Sequence, residues 1–221
     1  MEYIASCFGN KIRVNLTIPV FTESCFIQGK SIINTLLDRF ADLIDEITVN
    51  DIGIYNYVLN YSKYKVFLGR LLRRVARDSR YKDYNELMTD VEYDEKIAFG
   101  EQISGLEIDI NTKKLNFSKF PTSILPVIHF PFVFVTTGQI CDFAALNSNI
   151  YEKFVSEEKC STECQRLFLK YVTEYKQTYY RLGKAIYFKC DGFEVRNCNV
   201  YRVLLFPFEY WEKSNEYIST D

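Results

Sequence analysis

The sequence predicts an α/β fold in which parallel strands are joined by crossover helices. Short runs of β-branched and aromatic residues alternate along the chain with segments of helical periodicity. Three of these runs end in polar residues or glycine just where a helical segment begins, as in a strand-to-helix turn. The predicted strands cover residues 12–20, 46–49, 65–68, 105–110, 130–136, 185–189 and 201–206, and the predicted helices cover residues 31–43, 54–61, 71–77, 84–90 and 164–182.

The first predicted helix has one apolar face, which can pack on a sheet because its apolar residues recur at helical spacing. The three strand ends carry Asn50-Asp51-Ile-Gly53, Gly69-Arg70 and Thr137-Gly138. Carboxyl ends of parallel strands share one edge, where α/β proteins build their active sites. We therefore expect these residues to lie along one edge. The apolar residues of the first helix are Ile32, Leu36, Leu37 and Phe40.

Length and composition indicate one globular domain that covers residues 1–221. Of the 221 residues, 48% are hydrophobic and 25% are charged, which excludes disordered and coiled-coil classes. The net charge of −2 gives no support for a nucleic-acid or anionic-membrane partner. The first residues include an acid and no basic region, and the apolar stretch 124–135 is shorter than the roughly 20 residues of a membrane span. We expect a cytoplasmic protein with no signal peptide and no membrane span.

The cysteines suggest a metal site. An odd number of seven cannot all pair, and a cytosolic chain is not expected to form a disulfide framework. Cys160-Ser-Thr-Glu-Cys164 places two thiols on one side of a helical turn, and Cys141 lies just past a predicted strand. Thiolates are ligands for zinc and for iron–sulfur clusters. The alternative is that these cysteines are small buried apolar residues.

A fourth ligand is less clearly indicated. Cys190 is the first choice because it ends a predicted strand and, on a parallel sheet, would share an edge with Cys141. Cys7 and Cys25 near the N-terminus, Cys198 in a predicted turn, and a non-cysteine ligand remain alternatives.

Two residues are candidates for catalytic roles. Arg70 opens a helical segment at the presumed active edge, where a guanidinium can hold a carboxylate or phosphate of the substrate. Asp51, with its neighbour Asn50, can orient substrate, although an aspartate at this position is equally typical of a helix cap. Arg70 also belongs to a run of basic residues, for which the alternative interpretation is a solvated helix face. The run consists of Arg70, Arg73, Arg74, Arg77 and Arg80.

Three further titratable residues lie on or next to predicted strands. Glu107 and Asp109 alternate, so that both side chains point to one face. If that face is the inside, they need a partner such as Arg70 or a cation, and otherwise they are solvated. His129, the single histidine, is either a core residue or a base.

Taken in order, several segments resemble the U32 peptidase-like family, which includes iron–sulfur proteins of ubiquinone hydroxylation and of RNA modification. The resemblance spans residues 12–165, and the later strands 183–188 and 201–204 continue it. Its segments are Glu46-Ile-Thr-Val-Asn-Asp-Ile-Gly53, Phe67-Leu-Gly-Arg-Leu-Leu72, Gly105-Leu-Glu-Ile-Asp109, Val135-Thr-Thr-Gly-Gln-Ile-Cys141 and Cys160-Ser-Thr-Glu-Cys164.

The resemblance implies a TIM-barrel-like parallel sheet with a [4Fe-4S] cluster near its carboxyl edge. Cys141, Cys160 and Cys164 match cluster ligands of the family, while Phe134 stands where many members have another cysteine. The N-terminal strands are shortened, which predicts an incomplete barrel. Because an open sheet edge needs cover, and because some relatives form obligate pairs, a second protein subunit is the expected partner.

The functional hypothesis is a U32-like iron–sulfur protein that takes part in a hydroxylation-type redox modification of a ring, RNA or peptide, with its partner subunit. One alternative is a non-catalytic binding subunit that holds structural zinc or no metal. Another alternative is a peptidase-type hydrolase, for which the sequence contains no serine elbow, P-loop or dinucleotide motif.

Overall fold

The structure is a computed structural model that describes residues 14–61, 63–72, 88–91, 103–110, 114–138, 143, 164, 167–173, 176–206 and 217–219. The α-helices within these ranges are α1 (Phe26–Arg39) and α2 (Ile52–Val58), and Glu23–Cys25 and Arg70–Leu72 form single 3₁₀ turns. The strands are β1 (Val14–Ile18), β2 (Ile44–Val49), β3 (Lys65–Leu68), β4 (Met88–Asp90), β5 (Gly105–Ile108), β6 (Lys114–Asn116), β7 (Leu125–Phe130), β8 (Phe132–Thr137), β9 (Phe168–Val172), β10 (Thr178–Leu182), β11 (Ala185–Lys189), β12 (Glu194–Arg196), β13 (Arg202–Leu205) and β14 (Tyr217–Ser219).

The main sheet has six strands in the order β1-β2-β3-β5-β7-β13, and all five neighbouring pairs are parallel. This order follows the sequence without the reversal that a doubly wound sheet shows. Right-handed crossovers then all lie on the same face of the sheet, as in a barrel. Helices α1 and α2 are the crossovers from β1 to β2 and from β2 to β3. The predicted α/β fold with a parallel sheet is confirmed.

The main sheet is curled into a half-barrel, as a contact across its inner face shows. Strand β2 is separated from β13 by four strand spacings, or about 19 Å in a flat sheet. The hydroxyl of Tyr201, beside β13, nevertheless donates to Glu46 Oε1 on β2 at 2.6 Å. Two side chains of these types cannot span a flat sheet of that width, so the strands between them must curve.

The two faces of the half-barrel differ in polarity. Alternate residues of the strands, such as Ile47, Val49 and Ile128, join a hydrophobic cluster with residues of both helices. The residues between them face inward and include buried Glu46, Thr48 and Glu107. The helical residues buried in the cluster are Ile33, Leu37, Ile54, Tyr55 and Val58.

Two smaller sheets adjoin the half-barrel. The first has the order β14-β9-β10-β11-β8, in which β8 follows β7 directly through Pro131. The pairs β9–β10, β10–β11 and β11–β8 are antiparallel, whereas the pair β14–β9 is parallel. The second is a parallel sheet in the order β12-β6-β4.

Two predicted helices are wrong in the parts that the structure describes. The helix predicted at residues 164–182 is replaced by β9 and β10, and residues 88–90 of the helix predicted at 84–90 form β4. The segment of β9 and β10 is rich in aromatic and β-branched residues, and cross-strand pairing favours these residues in an antiparallel sheet. This tertiary pairing outweighs the helical periodicity.

The other predicted elements agree with the structure to within a few residues at their ends. The predicted strand at 130–136 corresponds to β8, and it includes only the last residue of β7, Phe130, which the sequence did not predict as a separate strand. The helix predicted at 71–77 begins as a 3₁₀ turn, and its residues from 73 lie outside the described residues. In the described part of the chain, neither helix has the length and apolar character that a membrane span requires.

Gly105 is essential to the packing of the inner face. A β-carbon at this position would lie 2.1 Å from Phe67 Cε1 and 2.6 Å from the backbone oxygen of Leu125. Gly105→Ala should therefore lower the free energy of unfolding by about 1–3 kcal/mol, because the backbone cannot move aside freely. Urea denaturation measures the change.

Gly192→Ala is the matched control, since no atom of the described residues lies within 4 Å of the place that its β-carbon would take. Its effect should stay within about 0.5 kcal/mol. Equal effects of the two substitutions would contradict the close approach of Phe67 to Gly105.

Candidate active site at the carboxyl edge of the half-barrel

Arg70 is placed at the carboxyl edge by bonds between neighbouring strand ends. The N–H of Gly69 donates to Val49 O at 2.7 Å, and the N–H of Leu71 donates to Asn50 Oδ1 at 3.2 Å. A β-carbon on Gly69 would lie 2.1 Å from Asn50 Oδ1, so glycine permits this close approach. The amide of Asn50 in turn donates to Ile18 O. As predicted, the polar residues after β2 and β3 lie together, whereas Thr137 and Gly138 follow β8, which belongs to a separate sheet and is antiparallel to β11.

Arg70 forms a buried ion pair with Asp109. Its Nη2 donates to Asp109 Oδ1 and, at 2.9 Å, to Phe132 O, while its Nε lies 3.3 Å from Asp109 Oδ2. The N–H of Phe134 also donates to Asp109 Oδ1. The Asp109 side chain is only 1% exposed. This two-point contact fixes the plane of the guanidinium as well as its position.

Aromatic rings border the guanidinium of Arg70. Its Cζ lies 5.9 Å from the centre of the Phe134 ring and 5.7 Å from that of Tyr187, within the range of cation–π attraction. Burial raises the pKa of the Tyr187 hydroxyl; the charge of Arg70 opposes this shift and that of Asp109 adds to it. The Tyr187 ring therefore remains a neutral wall of the site.

Glu107 and His129 form a second pair beside the first. His129 Nε2 lies 2.9 Å from Glu107 Oε2, and the backbone N–H of Arg70 donates to the same oxygen at 3.3 Å. The Glu107 side chain is 3% exposed and that of His129 17%. The outward, solvated alternative for Glu107 and Asp109 is therefore wrong. As expected for inward-facing acids, both are bound by Arg70, Asp109 through the guanidinium and Glu107 through the backbone N–H.

This arrangement can hold and transfer a proton. A carboxylate fixes the orientation of an imidazole, which is the combination that general acid–base catalysis uses. Since one imidazole nitrogen of His129 faces Glu107, the ring can exchange a proton through its other nitrogen. The sequence singled out these residues separately, but it contained no sign that His129 and Glu107 would meet.

Asp51 is the N-cap of α2. Its Oδ1 accepts a hydrogen bond from the N–H of Ile54 at 3.0 Å, with the extended backbone of a capping residue. Of the two roles considered for Asp51, the structure displays the helix cap. Its neighbour Asn50 has a positioning role, because it ties the Arg70 turn to β1.

Cys164 and Cys190 lie near opposite ends of strand β11. Cys164 lies against the turn between β10 and β11, where its Sγ is 4.0 Å from a β-carbon position on Gly183. Cys190 follows the other end of β11, and its N–H donates to Pro131 O. Because β11 is antiparallel to β8, the expectation that Cys190 ends a parallel strand is wrong.

Cys164 and Cys190 thus lie at opposite ends of a five-residue strand, about 17 Å in length. That separation is several times a zinc–sulfur bond of about 2.3 Å. The buried thiol of Cys190 donates instead to Gly192 O.

Two alternative cysteines lie at opposite ends of the half-barrel. Cys25 is exposed in the 3₁₀ turn after β1, on the carboxyl side, and hydrogen bonds from Thr22 and then Ser24 lower the pKa of its thiol. Cys198 lies in a groove of about 510 Å³ with Pro126, at the start of β7, and burial raises its thiol pKa. A lowered pKa favours the thiolate, which is the form that binds metals.

No group of three or more potential metal ligands meets among the residues that the structure describes. Cys141, Cys160 and Cys7 lie outside those residues, so the predicted cluster ligands Cys141 and Cys160 have no described position.

A second polar cluster, which was not predicted from the sequence, lies on the inner face. Glu46 accepts from Tyr201 Oη at 2.6 Å, from Arg202 Nη1 and from Asn15 Nδ2 at 3.4 Å. Burial acts to raise the pKa of Glu46, but the hydrogen bonds from Tyr201 and Arg202 outweigh it and the pKa is lowered. The bond to Glu46 in turn raises the pKa of Tyr201. A signal was present, since Glu46 and Thr48 place two polar residues on one face of β2, between the apolar residues Ile47 and Val49.

The buried ion pair at the site can be tested through stability. Asp109→Asn removes the carboxylate charge that the buried guanidinium of Arg70 contacts and should cost about 3 kcal/mol of unfolding free energy. Asp90→Asn breaks an exposed ion pair with Lys119 and should cost less than about 1 kcal/mol. Urea denaturation of both variants measures the difference, and equal losses would contradict the burial of the Arg70–Asp109 pair.

The lowered pKa of Glu46 predicts a dependence of stability on pH. Since the folded pKa lies below the unfolded value of about 4.3, its contribution is fully present above that value and is lost as pH falls through the folded pKa. Wild-type unfolding free energy should therefore fall more steeply below about pH 4.3 than that of Glu46→Gln.

Urea denaturation at a series of pH values tests this expectation. Glu194→Gln, at an exposed residue paired with Arg196, is the control and should follow the wild-type curve. If Glu46→Gln also follows that curve, Glu46 does not bind its partners as a carboxylate.

Most segments that carry the resemblance to the U32 peptidase-like family contribute to this edge. Asn50, Gly69, Arg70 and Asp109 lie in three of them and are linked by the contacts described above. Searches with protein-family models and against curated proteins and solved structures find no match to this chain. The family resemblance stays a prediction.

Proposed function

We propose that this chain is a U32-like iron–sulfur protein that takes part in a hydroxylation-type redox modification of a ring, RNA or peptide, with a partner subunit. The observation that carries the proposal is the buried network of Arg70, Asp109, Glu107 and His129 at the carboxyl edge of a half-barrel. Charged groups are costly to bury, so a network of this kind at the edge where α/β enzymes act is typical of an active site.

The sequential order of the six parallel strands supports the TIM-barrel-like part of the proposal. We propose that the half-barrel is an incomplete version of that fold. Its sheet ends at β13, and the open edge of β13 lies where the further strands of a complete barrel would follow. The sheet of β8, β11 and β10 extends from β7 and provides the aromatic residues around Arg70.

The proposed cluster is a [4Fe-4S] centre with zinc as the alternative metal. Cys164 lies at the β10–β11 turn, and the N–H of Gly138 donates to Lys184 O in that same turn. Gly138 precedes Cys141 by three residues, which supports a ligand set of Cys141, Cys160 and Cys164. Cys25 is the better fourth ligand than Cys190, because its exposed thiol lies on the carboxyl side and has a lowered pKa.

In this proposal the residues of the half-barrel prepare the substrate. A bound cluster would supply single-electron transfer. Arg70 is held by Asp109 and contributes a fixed positive charge, while His129 holds or releases a proton beside Glu107. Tyr187, which is partly exposed, offers apolar surface next to that charge, which suits a substrate with a ring.

One observation favours the second candidate, a non-catalytic binding subunit. Val203 and Leu205 on the edge strand β13 are 40% and 70% exposed, and Phe206 continues the apolar surface. An edge strand with exposed apolar side chains is typical of a surface that pairs with another chain. Under this hypothesis the cysteines hold structural zinc or no metal.

Anaerobic purification distinguishes the candidates. The proposal predicts brown protein with broad absorbance near about 400 nm and about four irons per chain. Cys164→Ser and Cys25→Ser should each lower the iron content, whereas Cys190→Ser, at the far end of β11, should leave it unchanged. Metal analysis and absorbance spectra of the variants measure this.

Other outcomes have separate meanings. Colourless protein with stoichiometric zinc would favour the binding subunit. Iron that persists after Cys141→Ser, Cys160→Ser and Cys164→Ser would exclude the proposed ligands. Hydrolysis of casein by the metal-free protein would favour the peptidase-type alternative.

A further inference from the structure

Arg202 carries two buried hydrogen-bond donors that have no acceptor in the part of the chain that the structure describes. Its Nη1 donates to Glu46 Oε2, but its Nε and Nη2 are buried and make no hydrogen bond to any described residue. The rest of the side chain is partly accessible, with 28% of its surface exposed. Buried donors in proteins are nearly always satisfied, because an unpaired buried N–H loses its bonds to water.

The Glu46 carboxylate does not provide the missing acceptor. Its Oε1 already accepts from Tyr201, and its Oε2 accepts from Arg202 Nη1 and Asn15. The Nζ of Lys65 lies 5.7 Å from the centre of the Tyr201 ring and adds a further positive charge to this region. The donors of this cluster therefore outnumber the hydrogen bonds that the Glu46 carboxylate accepts, while the charge of Asp45, which also acts on Tyr201, offsets that of Lys65.

The guanidinium of Arg202 is held in a fixed orientation. Its Cζ lies 5.5 Å from the centre of the Phe67 ring and 5.6 Å from that of Tyr201, and the two rings stack at 5.9 Å. Phe67 reaches this position because Gly105 beneath it has no side chain. The edge formed by Nε and Nη2 is one that binds two oxygens of a carboxylate or phosphate side by side.

We propose that the inner face of the half-barrel contains a binding site for an oxyanion group, a carboxylate or a phosphate, that accepts hydrogen bonds from Nε and Nη2 of Arg202. In the parallel register Arg202 pairs with Val127, which pairs with Glu107. Arg202 is therefore two strand spacings, about 10 Å, from Glu107 on the same face. His129 lies two residues beyond Val127 on the same strand.

An anionic group on Arg202 would anchor a small molecule whose remainder extends toward the Glu107–His129 pair. This inference goes beyond the proposed function and does not depend on a cluster. It assigns the ligand an anionic group, which the redox proposal leaves open.

Anion titration of the protein as purified tests the proposal. The probes are inorganic phosphate and succinate, each compared with sodium chloride at equal ionic strength. Binding should shift the Nε–H nuclear magnetic resonance signal of Arg202, which is assigned by its loss in Arg202→Lys. At ten times its dissociation constant a probe should raise the Tm by about 3–6 °C.

Arg202→Lys keeps a positive charge near Glu46 but lacks the two-donor edge, so it should weaken binding by about tenfold or more. Arg196→Lys is the matched control, because Arg196 is exposed and forms a local ion pair with Glu194, two residues away. It should bind as the wild type does, and it also corrects for general salt effects on the Tm.

Each result decides the question. A response to phosphate alone identifies a phosphate site, and a response to succinate alone identifies a carboxylate site. No response to either probe, or an equal response in Arg202→Lys, overturns the proposal. If Arg202→Lys does not fold, the thermal titration decides: phosphate or succinate must raise the Tm of the wild type and of Arg196→Lys above the sodium chloride reference, and no such rise overturns the proposal. Protein that contains no iron after anaerobic purification but still binds the anion would refute the cluster and leave this site intact.

Discussion

The need to pair charges on the inner face of the curled sheet is the constraint on which the rest of the structure depends. A parallel sheet with helices on its outer face places apolar residues outward, and here the inward residues include Glu46, Glu107 and Asp109. Each of these carboxylates lies too deep for free solvation and requires donors from other strands. Glu46 finds them on β13, and this contact is possible only if the sheet curves.

The same constraint organises the carboxyl edge. Asp109 holds Arg70, and the backbone of Arg70 contacts Glu107, which holds His129. These four residues come from β3, β5 and β7 or the turns that follow them. A displacement of any one strand would leave a buried charge unpaired. The polar network therefore favours one register of the sheet over its alternatives, in addition to any chemistry that it performs.

The curled sheet also accounts for the contrast between its two polar clusters. In the network at the carboxyl edge, Asp109 and Glu107 face donors from Arg70, His129 and Phe134. In the cluster around Glu46, the donors outnumber the acceptors of the described residues, and two donors on Arg202 are left over. The first arrangement resembles a preorganised reaction site, whereas the second has the character of a receptor for a ligand that supplies oxygens.

The sequence predicted several strands well because strand signals are local, but it assigned β4, β9 and β10 to helices and did not predict β6, β12, β14 or most of β7. Runs such as 65–68 and 185–189 contain β-branched and aromatic residues bounded by glycine or charge, and the structure has these strands with the same bounds. The polar residues at Asn50 and Arg70 were also identifiable, because strand ends in a parallel sheet meet at one edge. The alternation of Glu107 and Asp109 required a partner such as Arg70 if they faced inward.

By itself the sequence determined the α/β class, the strands of the main sheet other than β7, and the polar residues after β2 and β3, because hydrophobic periodicity and turn chemistry act over a few residues. Only the tertiary structure decided which charges pair. Arg70 and Asp109 are 39 residues apart, and Glu46 and Arg202 are 156 apart, so their contacts depend on strand order and curvature. It also decided the antiparallel direction of β11, which separates Cys190 from Cys164. The direction of a strand relative to its neighbours depends on which strands it pairs with, and a local sequence pattern does not specify those partners.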